Sequence, residues 1–169
     1  MPVEVVLAAG LYIGLTLDRE RARTVRRELR SREALAQASR LLARRELSVR
    51  GLSDELERRR VAPAARRETV SRLREVGAVD DARAASRRAE VLAGRGAGDF
   101  LIRADLESRG FAAEVVAQAI EALTQEDERA RRIVTVRGAS PGTARYLARR
   151  GFGEDAIESA LGGSIAHGG

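Results

Sequence analysis

The chain has no cysteine, no tryptophan and no lysine, and its 169 residues include one histidine and three prolines. Without cysteine, disulfides and thiolate metal sites are excluded. The single histidine, His167, sits at the extreme C-terminus. No Ser-His-Asp or Cys-His constellation can therefore be assembled, and histidine-based zinc or haem sites fail on the same inventory. The reading is a protein that is not an enzyme and holds no metal or cofactor. Five aromatic residues, two Tyr and three Phe, leave no platform on which bases could stack. A long hydrophobic run is also missing. Residues 1–17 are the most apolar stretch, yet Glu4, Gly10 and Gly14 interrupt them and no basic residue precedes them. That pattern suits neither a membrane span nor a secretory signal. The expectation is a soluble cytoplasmic monomer with no membrane contact.

What is present favours helix almost everywhere. The composition is 44% hydrophobic and 33% charged, globular rather than disordered, and Ala, Leu, Arg and Glu are strong helix formers. One pattern recurs three times: Leu56 before Val61, Leu106 before Phe111 and Leu147 before Phe152. In each copy the leucine stands five positions before a bulky apolar residue, with arginine between. The second and third copies read Leu106-x-x-Arg109-Gly110-Phe111 and Leu147-x-x-Arg150-Gly151-Phe152. The repetition predicts an all-α array of small three-helix, helix–turn–helix-like modules. The expected divisions are a lead-in with a helix over 1–33, repeats over 34–78, 79–124 and 125–162, and a flexible tail over 163–169.

Local signals fill in the modules. Residues 3–17 fit either a strand pair or a short helix closed by Gly10. Thr16 or Asp18 can cap the next helix, and Ser31 marks a break or bend because the apolar stripe resumes out of phase after it. Ser48 is a good N-cap, and Pro63 and Pro141 suit the first helical position. Val76 and Val136 are read as apolar faces of their helices. Asp80-Asp81 invites an acid–base or metal reading, but a helix start explains both carboxylates. The loop carrying Gly94, Gly96 and Gly98 follows a helix rather than a strand, and no Lys-Ser/Thr pair comes after it. It is therefore read as a plain interhelix turn rather than a phosphate cradle.

Charge is unevenly distributed. Residues 18–74 hold 18 Arg against 9 acidic residues, whereas residues 75–169 hold 13 Arg against 15. A polyanion or acidic surface would be drawn to the first half. The candidate contact residues are Arg44, Arg45, Arg50, Arg58, Arg59, Arg60, Arg66 and Arg67. Reversing Arg44 and Arg58 is expected to weaken function more than reversing Arg129 and Arg131. Arg109 and Arg150 are assigned to helix ends, where they complement the dipole. A stand-alone DNA-binding protein of helix–turn–helix type is one functional reading, and a regulator of a larger assembly is the other.

The residues also resemble a known family. The segments Ala38-x-Arg40-Leu41-Leu42-Ala43-x-Arg45-x-x-Ser48, Gly77-x-Val79-Asp80-Asp81-x-Arg83-x-Ala85, Gly98-x-x-x-Ile102-Arg103-x-Asp105-Leu106 and Leu147-x-x-Arg150-Gly151-Phe152 are similar, in order and spacing, to the RecX regulators of recombination. The resemblance spans residues 34 to 161. It implies an elongated, curved array of three repeats that binds the RecA–DNA filament and inhibits or modulates its ATPase, strand-exchange and coprotease activities. DNA is implied as an auxiliary partner, bound weakly and without sequence preference. Two departures stand out: Ala84 replaces a frequent Phe, and Phe100-Leu101 replaces residues that are often basic. Phe100 is expected to pack against another module or a protein partner.

Overall fold

The computed structural model describes residues 3–8, 10 and 18–165. Among them are ten helices and no strand: α1 Val3–Ala8, α2 Arg19–Leu42, α3 Val49–Arg58, α4 Pro63–Glu75, α5 Asp81–Gly94, α6 Asp99–Ser108, α7 Ala113–Glu121, α8 Glu126–Arg137, α9 Pro141–Arg149 and α10 Glu154–Ile165. The chain forms two compact units, residues 1–79 and 80–169. The first holds α1 to α4 and the second α5 to α10.

The thrice-repeated leucine pattern is a helix ending. In α3, α6 and α9 the leucine carbonyl accepts from the backbone N–H five residues on: Val61 to Leu56 at 3.0 Å, Phe111 to Leu106 at 3.3 Å, and Phe152 to Leu147 at 3.2 Å. The residue before each apolar partner bonds back three positions, as Gly110 does to Glu107 at 2.9 Å. This pair of bonds satisfies carbonyls that the helix leaves open, and a contact between the leucine and the apolar residue accompanies it. It requires a left-handed backbone at one position. Gly110 and Gly151 supply that at φ 81 and 82°, where glycine is free to go. In the first copy the position is held by Arg60 at φ 60°, the only non-glycine residue at positive φ among those described.

These endings fold each helix trio around its own core. Leu52 and Leu56 of α3 are fully buried with Ala38 and Leu41 of α2, Leu73 of α4 and Val79. Burying a leucine contributes about 1.5–3 kcal/mol, so the α3 pair anchors this unit. In the second unit, Ile102, Leu106, Phe111 and Val116 gather with the alanine face of α5. Val134, Leu147, Phe152 and Ala160 form a further cluster. The small side chains of Ala84, Ala85 and Ala89 let α5 approach its neighbours closely.

Several local expectations hold. Asp18 caps α2, accepting from the Arg21 N–H at 2.8 Å. Ser48 caps α3 by accepting from Gly51 at 2.9 Å, and Asp80 caps α5 by accepting from Arg83 at 3.0 Å. Ser140 caps α9, and Pro63 and Pro141 sit in the first turns of their helices. Residues 3–8 take the helical alternative, while Thr16 and His167 lie outside the described residues.

Other expectations need correction. Ser31 does not break α2, which runs 24 residues without interruption. With no Gly or Pro in the segment, helix propensity carries through the shift of stripe, and Ser31 Oγ instead donates to Glu68 Oε2 on α4 at 3.0 Å. Val76 and Val136 are exposed, at 70% and 86%: Val76 is the residue that ends α4, and Val136 stands two positions after the buried Val134, about 200° around α8 and so on its outer face. Phe100 is also 76% exposed. The last helix continues to Ile165, through Gly162 and Gly163 and into the stretch expected as tail.

The glycine-rich turn after α5 is more than a connector. Its Gly98 N–H donates to the Arg150 carbonyl at 2.8 Å, and the Phe100 N–H donates to the Gly151 carbonyl at 3.0 Å. A Cβ on Gly98 would lie 2.3 Å from Gly151 backbone atoms, so only glycine permits this approach. Arg150 does cap a helix, but not its own. Its Nε donates to the Gly96 carbonyl at 3.0 Å and its Nη2 to the Arg95 carbonyl, both beyond the end of α5. Arg129 is buried to 8% exposure; it donates to the Ala97 carbonyl at 2.7 Å and the Thr124 carbonyl at 2.9 Å, and pairs with Asp99. Its guanidinium also stands 5.7 Å from the centre of the Phe152 ring. Glu126 closes the seam, accepting from the Asp99 N–H at 2.6 Å and the Gly153 N–H at 3.2 Å. Within the second unit, the α5–α7 and α8–α10 trios are thus joined by backbone and charged groups. Arg129 is no neutral surface position for a charge-reversal comparison.

Candidate functional site

The eight candidate arginines all fall in the first unit, on or near α3 and the first half of α4, and the structure divides them by what each guanidinium touches. Three converge on one acid. Glu55 of α3 is buried, and its carboxylate pairs with Arg45, with Arg59 and, at 3.0 Å, with Arg58. The Arg59 hydrogen bond, followed by the fields of Arg58, Arg59 and Arg45, holds the Glu55 carboxyl below its ordinary range against the opposing effect of burial. One negative charge among three guanidinium groups leaves a positive excess. The carboxylate thus fixes three cations in place without neutralising them.

Two more are engaged singly. Arg66 bonds Glu57 at 2.8 Å with its side chain only 17% exposed, which makes it chiefly a structural link between α4 and α3. Arg50 lies 4.0 Å from Asp54, a loose surface pair worth little. The remaining three, Arg44, Arg60 and Arg67, are exposed and have no carboxylate partner among the described residues. The eight candidates therefore divide into an anchored cluster around Glu55, two singly paired residues and three cations without a carboxylate partner among the described residues. Arg44 follows the end of α2, Arg60 occupies the α3 ending and Arg67 lies on α4.

A further group escaped the sequence reading. Arg23, Arg26, Arg27 and Arg30 of α2 line a cleft with Ala62, Ala64 and Ala65 at the start of α4. The signal that could have found them is periodic. Positions i, i+3, i+4 and i+7 share one helix face, whereas adjacent doublets and triplets, which drew attention to residues 44–67, diverge by about 100° per residue.

The second unit uses its charge differently. Arg88 holds Asp105 through Nε at 2.9 Å and Nη2 at 2.8 Å, and Arg109 adds a bond at 2.7 Å. The Arg88 bond, with help from Arg109, lowers the Asp105 carboxyl to about 2 although burial opposes it. Arg137 lies over the Tyr146 ring at 4.2 Å. Among the described residues no cluster of His, Cys, Asp and Glu could hold a metal ion, and no helix is long and apolar enough to cross a membrane.

No family model matches the chain. It is 33% identical over 145 residues to the regulatory protein RecX of Stenotrophomonas maltophilia (strain R551-3), covering 80% of this chain and 89% of that one. To the regulatory protein RecX of Deinococcus radiodurans it is also 33% identical over 145 residues, with 80% and 70% covered. The fold matches the crystal structure of RecX from Lactobacillus salivarius with a TM-score of 0.72 at 13% identity, over 81% of this chain and 97% of that one. A second crystal structure, of a regulatory protein RecX, matches with a TM-score of 0.76 at 15% identity over 95% and 85% of the two chains.

Proposed function

The chain belongs to the RecX family of regulatory proteins, and we propose from that premise that it regulates homologous recombination and DNA repair by binding the RecA–DNA filament. In this reading it restrains the filament's ATPase, strand-exchange and coprotease activities, and DNA is an accessory ligand. The observation that carries the reading is the division of the eight arginines: three fixed around a buried carboxylate, and Arg44, Arg60 and Arg67 exposed with no carboxylate partner among the described residues. Such a surface suits a negatively charged macromolecular partner, because its cations are partly pre-organised and little side-chain entropy is lost on contact. No nucleophile–base pair accompanies it, so the function is assigned to binding.

The test is DNA-dependent ATP hydrolysis by the cognate recombinase, with this protein titrated in. The expected result is a concentration-dependent fall in hydrolysis. Unchanged hydrolysis at saturating protein, with no binding to the filament, would remove the proposal. A stand-alone DNA-binding regulator would instead bind duplex tightly in the absence of recombinase, with a base-pair preference that survives moderate salt.

A further inference from the structure

The arginine row of α2 is a cationic feature that the eight candidate residues leave out. Arg23, Arg26, Arg27 and Arg30 share one face, and Arg23 to Arg30 spans about 10 Å along the axis. They form one wall of a cleft of about 330 Å³, and the first turn of α4 forms the other. Arg23, Arg26 and Arg30 are exposed and have no carboxylate partner among the described residues, while Arg27 makes a loose 3.4 Å pair with Glu28. No side chain caps the start of α4, so its first N–H groups add to the positive potential of the arginines. One carboxylate, Glu68, lines the cleft and is held by Ser31 Oγ.

A second cleft, of about 210 Å³, shares Arg30, Ala62 and Ala65 with the first and is also lined by Glu33, Arg59 and Arg60. Gln37 lines it, and Gln37 Oε1 is the only buried side-chain polar atom without a hydrogen-bond partner among those described. Two adjoining clefts of this kind make a trough lined by the arginine row and by Arg60, with two carboxylates, Glu68 and Glu33, among its lining residues. Its lining residues include no aromatic.

We propose that this trough on the first unit seats the sugar–phosphate backbone of single-stranded DNA. The proposal rests on the reading above in which DNA is an accessory ligand, and it places that ligand on α2 and α4. Without the winding of a duplex, a single strand spaces its phosphates more widely than the 3.4 Å axial rise per strand of B-DNA, so a row about 10 Å long meets about two of them. Guanidinium forks bind phosphate oxygens in pairs. A concave cleft between two helices accepts one backbone, whereas a duplex presents a wide convex surface. With no aromatic side chain in the trough there is nothing for bases to stack on, so contact is blind to sequence. An acidic protein segment offers carboxylates at irregular spacing and matches the row less well.

The test uses the full chain and a labelled single strand, with no recombinase present, over a range of salt concentrations. The triple variant Arg23→Gln, Arg26→Gln, Arg30→Gln is expected to bind roughly tenfold more weakly, with the salt slope reduced by about 2. The matched variant Arg40→Gln, Arg72→Gln, Arg74→Gln removes the same charge from exposed positions of the same unit outside the trough, and is expected to change affinity by no more than about twofold. Glu68→Gln is expected to tighten binding, which a folding defect could not do. Equal losses in the two triple variants would overturn the proposal, as would absence of single-strand binding by the wild-type chain at low salt. Binding to poly-glutamate as tight as to DNA would overturn it in favour of an acidic protein partner. Because recombinase is absent, failure here leaves the filament reading standing, and an unaffected filament with intact trough binding would remove only that reading.

Discussion

The two units carry out the same helix-ending chemistry with opposite uses of arginine. In the second unit the guanidinium groups of Arg88, Arg129 and Arg150 turn inward, onto Asp105, onto three backbone or carboxylate acceptors, and onto the carbonyls beyond α5. In the first unit most of the arginines face solvent, and three crowd around a single carboxylate. The contrast is sharpest at one backbone position. Where the second unit has Gly110 and Gly151, the first has Arg60 in the same left-handed conformation. Arg88, Arg129 and Arg150 thus act as mortar in the second unit, where the other arginines are exposed, while in the first unit only Arg66 is less than exposed, a difference that composition alone does not reveal.

The comparison breaks most visibly if the mortar is removed. Arg129→Met leaves Asp99 and two carbonyls without their donor, and the second unit should lose about 3–5 kcal/mol. Denaturant unfolding followed by circular dichroism checks this, and an unchanged midpoint would contradict the structural role given to Arg129. Gly98→Ala drives a methyl into the Gly151 backbone and should cost the same unit about 3 kcal/mol. A smaller loss would mean that the seam yields more easily than its spacing implies.

Acid gives a gentler probe. The Asp105 carboxyl is lowered from 3.8 to about 2 in the folded state, so the folded state prefers it ionised. Its contribution is complete above the unfolded value and is lost as pH falls from about 4 through 2, amounting to about 2 kcal/mol. Asp105→Asn should flatten the acid limb of the second unit's stability profile, and an unaltered limb would assign that sensitivity to other carboxylates. The smallest effect sharpens the contrast directly. Arg60→Gly relieves a left-handed arginine and should stabilise the first unit by about 1 kcal/mol while weakening DNA or filament binding. Stabilisation with binding intact would reduce Arg60 to a tolerated irregularity.

Much of the fold was legible because its signals are local. The Leu56, Leu106 and Leu147 endings, the Ser48 and Ser140 caps and the prolines at helix starts all act within six residues, so order and spacing reveal them. The seam was hidden for the opposite reason. Arg129 and Arg150 bond backbone carbonyls 32 and 54 residues away, and a carbonyl has no sequence identity. Gly98 likewise reads as a turn glycine until another backbone is seen against it. For the candidate residues, charge points to the first unit, but how each arginine is paired is not visible in the sequence. Runs such as Arg58-Arg59-Arg60 catch the eye, yet their members part company where the helix ends: Arg58 and Arg59 are held by Glu55, while Arg60, in the left-handed turn, has no carboxylate partner among the described residues. The α2 face built from Arg23, Arg26, Arg27 and Arg30 is spread over eight positions and requires the helical period to be applied to charge as well as to apolar residues.

Co-sedimentation with a cognate RecA–DNA filament asks most directly whether the first unit is the contact surface. The wild-type chain should pellet with the filament. The charge-reversed variant Arg44→Glu, Arg60→Glu, Arg67→Glu should remain in the supernatant, and the matched variant Arg103→Glu, Arg145→Glu, Arg149→Glu, at exposed positions of the second unit, should still pellet. Equal loss from both variants, or pelleting of neither the wild type nor the variants, would contradict the division of roles between the two units.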